Sequence, residues 1–186
     1  MNQEKDGTWV SWNENLTYNY KSLYKVSSEK ELQEIVAKTE KVRFFGKKQS
    51  SADIAAGVDT LIDISSYNKI LSYNDAELTI TIESGLILGD LLEAIEAKGW
   101  CIPCLPDINT ITVGGALATG THGTSGKLLC EYMTQCRLIL ADGSIKELNT
   151  QDKLMDAVKV SLGVLAGTGG TARLARLVGK ARAMEI

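Results

Sequence analysis

The sequence lacks the features that mark several large classes of protein. Its 186 residues carry 20 basic and 23 acidic side chains, and the basic ones are scattered, so no surface for nucleic acid is indicated. No apolar run is long enough to span a bilayer, and no charged-then-apolar signal sequence stands at the N-terminus. We therefore expect a cytoplasmic protein that binds no nucleic acid and has no membrane span.

Cysteine and histidine are also scarce, with four cysteines and one histidine. Cys101 and Cys104 have the spacing of a redox or metal pair, but Cys130 and Cys136 are separated by five residues and have no histidine beside them. The two prolines near the first pair also argue against the helix that follows such a pair in thioredoxin-like sites. We interpret the cysteines as buried apolar thiols and predict no metal site, with a thiol-redox role for Cys101 and Cys104 as the alternative.

What the chain does contain is a stretch of 13 residues, 112–124, that is rich in glycine and threonine. Four of its residues are glycine, and the exception to its small or aliphatic character is His122. Glycine permits positive φ and a close approach of ligand to backbone, and free N–H groups with threonine hydroxyls can hold an anion without lysine. Ordinary turns take only about two to five residues. The stretch therefore predicts a cradle for a phosphate-bearing cofactor rather than a surface turn.

A second stretch, from Gly46 to Ser51, follows the apolar run Val42–Phe45, which predicts a strand. A strand that leads into a glycine and then into donors and hydroxyls is consistent with a phosphate-binding turn. Two solvated lysines in a surface loop are the alternative.

Periodicity and capping signals predict the remaining elements, after an opening at residues 1–7 that we expect to be loose. These elements are a helix from Ser28 to about Lys38, strands near 59–64 and 78–83, a helix over 90–99 that stops at Gly99, a strand over 133–141, a turn at Asp142-Gly143 leading to a return strand over 145–148, and a helix capped by Thr150.

The glycine-rich stretch also carries a family resemblance. Read as Gly-Gly-Ala-Leu-Ala-Thr-Gly-Thr-His-Gly after Leu105-Pro106-Asp107-Ile108, it resembles the flavin-binding segment of aldonolactone oxidases and of xylitol or alditol oxidases. These enzymes belong to the vanillyl-alcohol-oxidase-like flavoprotein superfamily. The similarity covers about residues 9–165 and corresponds to the N-terminal, PCMH-type FAD-binding domain. It implies an α+β fold in which a small sheet with helices (about 9–72) and a larger mixed or antiparallel sheet with helices (about 73–165) grip FAD between two lobes.

The resemblance also implies which residues hold the cofactor. The first lobe would meet the pyrophosphate, the second lobe the pyrophosphate and the flavin, and the last two residues would lie near the adenine. The implied cofactor-binding residues are Gly46, Lys47, Lys48, Gln49, Ser50, Ser51, Pro106, Asp107, Thr112, Val113, Gly114, Gly115, Thr119, Gly120, Thr121, His122, Gly123, Gly163 and Val164.

Two positions depart from the family pattern. Lys48 stands where a second glycine is usual, which leaves the backbone less free to take positive φ. Gln49 stands where many members have the histidine that bonds covalently to the flavin. Because an amide nitrogen cannot act as that nucleophile, we predict non-covalent FAD, with His122 as the alternative point of attachment.

The resemblance stops at Leu165, and residues 166–186 lack the apolar strand that it predicts, so we expect a flexible tail there. We also expect the C-terminal substrate domain of full-length relatives to be absent, and we therefore assign no catalytic residue. The resemblance implies oxidation of a CH–OH group of a sugar alcohol or aldonolactone, with hydride transfer to flavin and with a homo-oligomer or a separate substrate domain as partner. The alternative is a flavin- or nucleotide-binding module without turnover.

Overall fold

The computed structural model describes residues 2–50, 54 and 58–161, so the predicted tail at 166–186 lies outside the described residues. The described ranges form a mixed structure of strands and short helices, which confirms the α+β class. In chain order the elements are β1 (Asn2–Val10), β2 (Thr17–Lys25), α1 (Glu29–Lys38), β3 (Val42–Phe45), β4 (Thr60–Asp63), β5 (Ile70–Asn74), β6 (Thr79–Ile82), α2 (Leu88–Glu96), α3 (Val113–Ala118), a 3-10 turn (Leu129–Tyr132), β7 (Gln135–Ile139), β8 (Ile145–Asn149) and α4 (Lys153–Val158).

The first half of the chain builds a four-stranded mixed sheet in the order β1-β2-β4-β3. β1 and β2 form an antiparallel hairpin, while β4 runs parallel to both β2 and β3. Side chains of neighbouring strand residues point to opposite faces, so Leu61 and Ile62 in β4 belong to different clusters. One face packs on α1 around Val26, Leu32, Ile35, Val42, Ile62 and Ile64, and the other gathers Trp9, Tyr20, Leu23, Phe45 and Leu61.

The second half surrounds a separate apolar cluster to which α2, α3 and the 3-10 turn contribute. The β5–β6 hairpin packs its partly buried isoleucines against this cluster. The β7–β8 hairpin instead reaches back to α1, where the Arg137 guanidinium bonds both carboxylate oxygens of Glu29 at 2.9 Å. The Gln33 side chain also donates to the Gly143 carbonyl at 2.7 Å. These two contacts connect the β7–β8 hairpin to α1.

Most of the predicted elements are observed, with three differences. The prediction that residues 1–7 are loose is wrong, because residues 2–10 form β1 and pair along their length with β2. The second predicted helix begins at Leu88, two residues before Asp90, while Gly99 has the expected left-handed φ of 73° after its end. The last helix has Asp152, and not Thr150, at its N-cap. None of the helices in the described ranges is long and apolar enough to cross a membrane.

Candidate functional site

The two stretches singled out in the sequence touch each other in the structure. Gly46 follows β3, and Thr112 is the N-cap residue of α3. A Cβ atom on Gly46 would overlap Oγ1 and Cγ2 of Thr112, so any larger residue would push the two segments apart. Glycine at position 46 is therefore required for the loop after β3 to lie against the glycine-rich segment.

The loop after β3 presents a row of unused donors. Among the residues that the structure describes, the backbone amides of residues 46–49 donate no hydrogen bond. Lys48 within this row has φ of 59°, in the left-handed region. Successive free N–H groups in a turn with a left-handed residue form an anion-binding arrangement. Backbone geometry at this position thus suits a phosphate group.

Lys48 occupies the left-handed region despite its side chain, although the sequence predicts a backbone less free to do so. The conformation costs a residue with a Cβ atom roughly 1 kcal/mol. Its ammonium lies 5.5 Å from the ring centre of Trp9 and 5.4 Å from that of Phe45, within the range of cation–π attraction. These contacts offset part of the cost and place the Lys48 charge against the two rings. Lys47 is exposed.

The first turn of α3 differs from the predicted cradle of free amides. The Val113 amide donates to the Leu86 carbonyl and the Gly114 amide to the Ser84 carbonyl, both at 2.8 Å. The Gly115 amide donates to the Thr112 hydroxyl at 3.3 Å. These donors are used inside the protein, so residues 113–115 contribute position and shape rather than N–H groups.

Glycine at position 114 has a packing reason. A Cβ atom there would lie 2.8 Å from both Cβ and the carbonyl oxygen of Ser84. The turn at residues 84–86 therefore packs against α3. In the sequence, only Gly85 after the strand predicted near 78–83 indicates this turn.

The remainder of the glycine-rich segment folds back on itself. The Thr119 hydroxyl donates to the Gly115 carbonyl at 2.9 Å and lies 3.4 Å from the Thr121 hydroxyl. Gly120 has φ of 67°, a left-handed conformation that glycine adopts without steric cost. The segment is a short helix followed by a tight turn rather than an open loop.

The end of this segment meets the residues that precede it in the resemblance. A Cβ atom on Gly123 would overlap the Leu105 carbonyl oxygen, so residue 123 lies against the stretch that contains Pro106 and Asp107. His122 is exposed, and its Nδ1 lies 3.2 Å from the Gly123 carbonyl oxygen. The predicted residues Ser51, Gly163 and Val164 lie outside the described residues.

All four cysteines are free thiols, and Cys136 is half-buried. Cys104 and Cys130 are buried, which confirms their interpretation as apolar thiols, whereas Cys101 is exposed, so the interpretation is wrong there. Desolvation raises the pKa of Cys130 and of Cys136, the opposite of what a nucleophilic thiol needs. Within the described ranges no group of three or more metal-ligating side chains occurs.

A strand that leads into free amides, held against a short glycine-rich helix, is an arrangement that can accept a phosphate group. Residues 21–149 match the family model described as the FAD binding domain, which is more than half of the chain. The chain belongs to this family, and its cofactor is FAD. The residues fit the group, because the backbone amides of residues 46–49 are free to donate to pyrophosphate oxygens and Gly46 lets this loop lie against Thr112.

Individual relatives agree with the family. The chain is 29% identical over 150 residues to L-gulonolactone oxidase from Mus musculus, and the matched region covers 76% of this chain and 34% of that protein. It is 28% identical over 163 residues to L-gulono-1,4-lactone dehydrogenase from Mycobacterium tuberculosis strain H37Rv, and the matched region covers 84% of this chain and 38% of that protein. Cholesterol oxidase from Brevibacterium sterolicum shares the fold, with a TM-score of 0.75, 13% identity, and coverage of 87% of this chain and 35% of that one. The chain thus spans about a third of the length of these relatives.

Proposed function

We propose that this chain is the FAD-binding part of an oxidoreductase that oxidises a CH–OH group of an aldonolactone or a sugar alcohol. The observation that carries the proposal is that the loop with the free amides of residues 46–49 contacts the glycine-rich segment, through Gly46 and Thr112. When bound, the flavin would accept a hydride from the substrate carbon. The protein groups bind and orient the cofactor.

The loop supplies the electrostatics that a pyrophosphate needs. Backbone amides fixed in a turn require little reorganisation when an anion arrives, and Lys47 and Lys48 add two positive charges to the same loop. The Lys48 ammonium lies against the aromatic rings, so the amides rather than that ammonium would contact the phosphate oxygens.

The substrate class follows from the relatives, two of which are named for gulonolactone. Since the chain spans about a third of their length, we propose that groups from a further domain or a partner chain cover the flavin and contact the substrate. A homo-oligomer is the alternative source of such groups. Large apolar side chains exposed on the β5–β6 hairpin and near the glycine-rich segment support a covering partner, namely Leu71, Tyr73, Leu78, Leu105 and Ile108.

A pair of glycine substitutions tests the cofactor site. Gly46→Ala adds a Cβ atom that overlaps the Thr112 side chain. A Cβ atom added at Gly89 would lie 3.4 Å from its nearest neighbour, an ordinary contact. We expect Gly46→Ala to weaken FAD affinity at least tenfold in a fluorescence titration, and Gly89→Ala to leave it unchanged. A wild-type chain that retains no FAD even from excess cofactor would contradict the proposal.

Turnover separates the proposal from a binding module that performs no chemistry. The bound flavin should bleach at about 450 nm when the chain is mixed anaerobically with an aldonolactone or a polyol, provided that the covering groups are present. A flavin that stays oxidised in that complete assembly would favour the binding module. If the thiol-redox alternative held, the double substitution of Cys101 and Cys104 by serine would abolish activity without loss of FAD.

A further inference from the structure

The hairpin between β1 and β2 carries an aromatic side chain to the loop at residues 46–49. Trp12 sits at the tip of this hairpin and is 56% exposed, so burial in a core does not explain its position. Its backbone amide donates to the Lys48 carbonyl at 3.2 Å. Its indole Nε1–H donates to the Gln49 carbonyl at 2.9 Å. One residue therefore binds two successive carbonyls of the loop.

We propose that Trp12 is a positioning residue that orients the pyrophosphate-binding amides, an inference that rests on the proposed function of the loop. A peptide group is planar and trans, so its C=O and its N–H point in opposite directions. The Lys48 carbonyl shares its peptide group with the Gln49 amide, so the bond from the Trp12 backbone amide turns the Gln49 amide away from Trp12. The indole bond to the Gln49 carbonyl fixes the next peptide plane and keeps the loop against the hairpin tip.

The loop needs such an anchor because its conformation has a cost. Lys48 is left-handed at φ of 59°, where a residue with a Cβ atom is disfavoured. The hydrogen bonds from Trp12 favour that conformation. The bond to the Lys48 carbonyl and the contact of the Lys48 ammonium with Trp9 and Phe45 both act on Lys48, and the indole bond acts on the next residue, Gln49.

The hairpin tip is itself held in place by Ser11, which is 3% exposed. Its hydroxyl lies 2.9 Å from the side-chain oxygens of both Asn13 and Asn15 and accepts the Leu16 amide at 3.1 Å. The Ser11 amide donates to the Leu16 carbonyl at 3.0 Å. Trp12 thus projects from a turn with a fixed shape, as an anchoring residue must.

The test replaces Trp12 by phenylalanine, which removes the indole donor and keeps an aromatic ring. We expect Trp12→Phe to weaken the affinity for FAD about fivefold, the equivalent of one hydrogen bond. Trp100→Phe is the matched control, since Trp100 packs on Tyr73 far along the chain from the loop, and it should leave the affinity unchanged. Both variants should keep the wild-type melting temperature within about 2 °C, because the hydrogen bond lost from Trp12 is exposed to solvent and phenylalanine keeps an aromatic ring at both positions.

A second readout follows the amide itself. In the ¹⁵N-labelled chain titrated with inorganic pyrophosphate, the Gln49 amide resonance should shift in the wild type and in Trp100→Phe, and should shift less in Trp12→Phe. An affinity within twofold of wild type in Trp12→Phe would overturn the positioning role, as would a loss matched by a fall of several degrees in melting temperature. A wild-type chain that binds neither FAD nor pyrophosphate would overturn the proposed function as well, whereas the other outcomes leave that function standing.

Discussion

At the scale of single residues, Lys48 combines a backbone conformation that favours glycine with a side chain that contacts two rings. Lys48→Ala and Lys48→Gly both remove the ring contacts, but only alanine keeps a Cβ atom in the left-handed region. We expect Lys48→Gly to have a free energy of unfolding about 1 kcal/mol above that of Lys48→Ala, measured in urea. At the exposed helical position Lys30 the order should be reversed, because glycine is the poorer helix former. If Lys48→Ala were at least as stable as Lys48→Gly, position 48 would not be left-handed in solution.

Gln49 gives a second prediction at this scale, that the flavin is bound non-covalently. Its amide nitrogen is not a nucleophile, and its backbone carbonyl is occupied by Trp12. We expect acid precipitation of the FAD-loaded chain to release all of the flavin into the supernatant. Flavin that remains in the pellet of the wild type and is released from His122→Ala would instead assign a covalent bond to the exposed His122.

At the scale of elements, the helix α3 shows what sequence patterns miss. Two of its six residues are glycine, a poor helix former, and the stretch is predicted as a cradle of free amides. The helix forms because Thr112 caps it and because Ser84 and Leu86 accept its first amides. Those acceptors come from a turn more than 25 residues earlier, so no local pattern reveals them.

Other elements follow from local signals. The helix α1 has Ser28 at its cap, accepting the Glu31 amide as predicted, and apolar residues at helical spacing. The strand β1 does not follow from local signals, because its first residues are polar and mostly exposed. It forms a strand because its backbone pairs with β2. The glycines in the sequence likewise indicate both segments of the candidate site. They do not indicate that the segments touch, because that contact depends on the absence of a Cβ atom at Gly46.

Thr112 gives the prediction that belongs to this scale, since it is 2% exposed and links α3 to the loop after β3. Thr112→Val keeps the shape and removes the capping oxygen, which costs about 1 kcal/mol at a helix N-cap. We expect Thr112→Val to lower the free energy of unfolding by about that amount and to weaken FAD binding, measured by urea unfolding and fluorescence titration. Thr112→Ser retains the oxygen and should stay closer to wild type in stability. A larger loss in Thr112→Ser than in Thr112→Val would instead assign the effect to the methyl group.

At the scale of the whole molecule, the site joins two parts with separate apolar clusters. The loop follows a strand of the four-stranded sheet, whose Phe45 packs with Trp9 and Leu61. α3 belongs to the cluster formed with α2. A cofactor that contacts both segments would bind only the arrangement in which they meet. Binding to the folded chain alone raises its stability by mass action.

This coupling predicts how the chain responds to fragments of its cofactor. At a hundredfold excess over its dissociation constant, FAD should stabilise the chain by about 2.7 kcal/mol and raise its melting temperature by several degrees. Riboflavin lacks the phosphates to which the amides of residues 46–49 would donate, so at the same concentration it should produce a much smaller shift. Inorganic pyrophosphate should give a shift of its own, which Gly46→Ala removes and Gly89→Ala retains. If riboflavin stabilised the chain as strongly as FAD, the isoalloxazine ring rather than the pyrophosphate would dominate binding, and the loop after β3 would not be its main anchor.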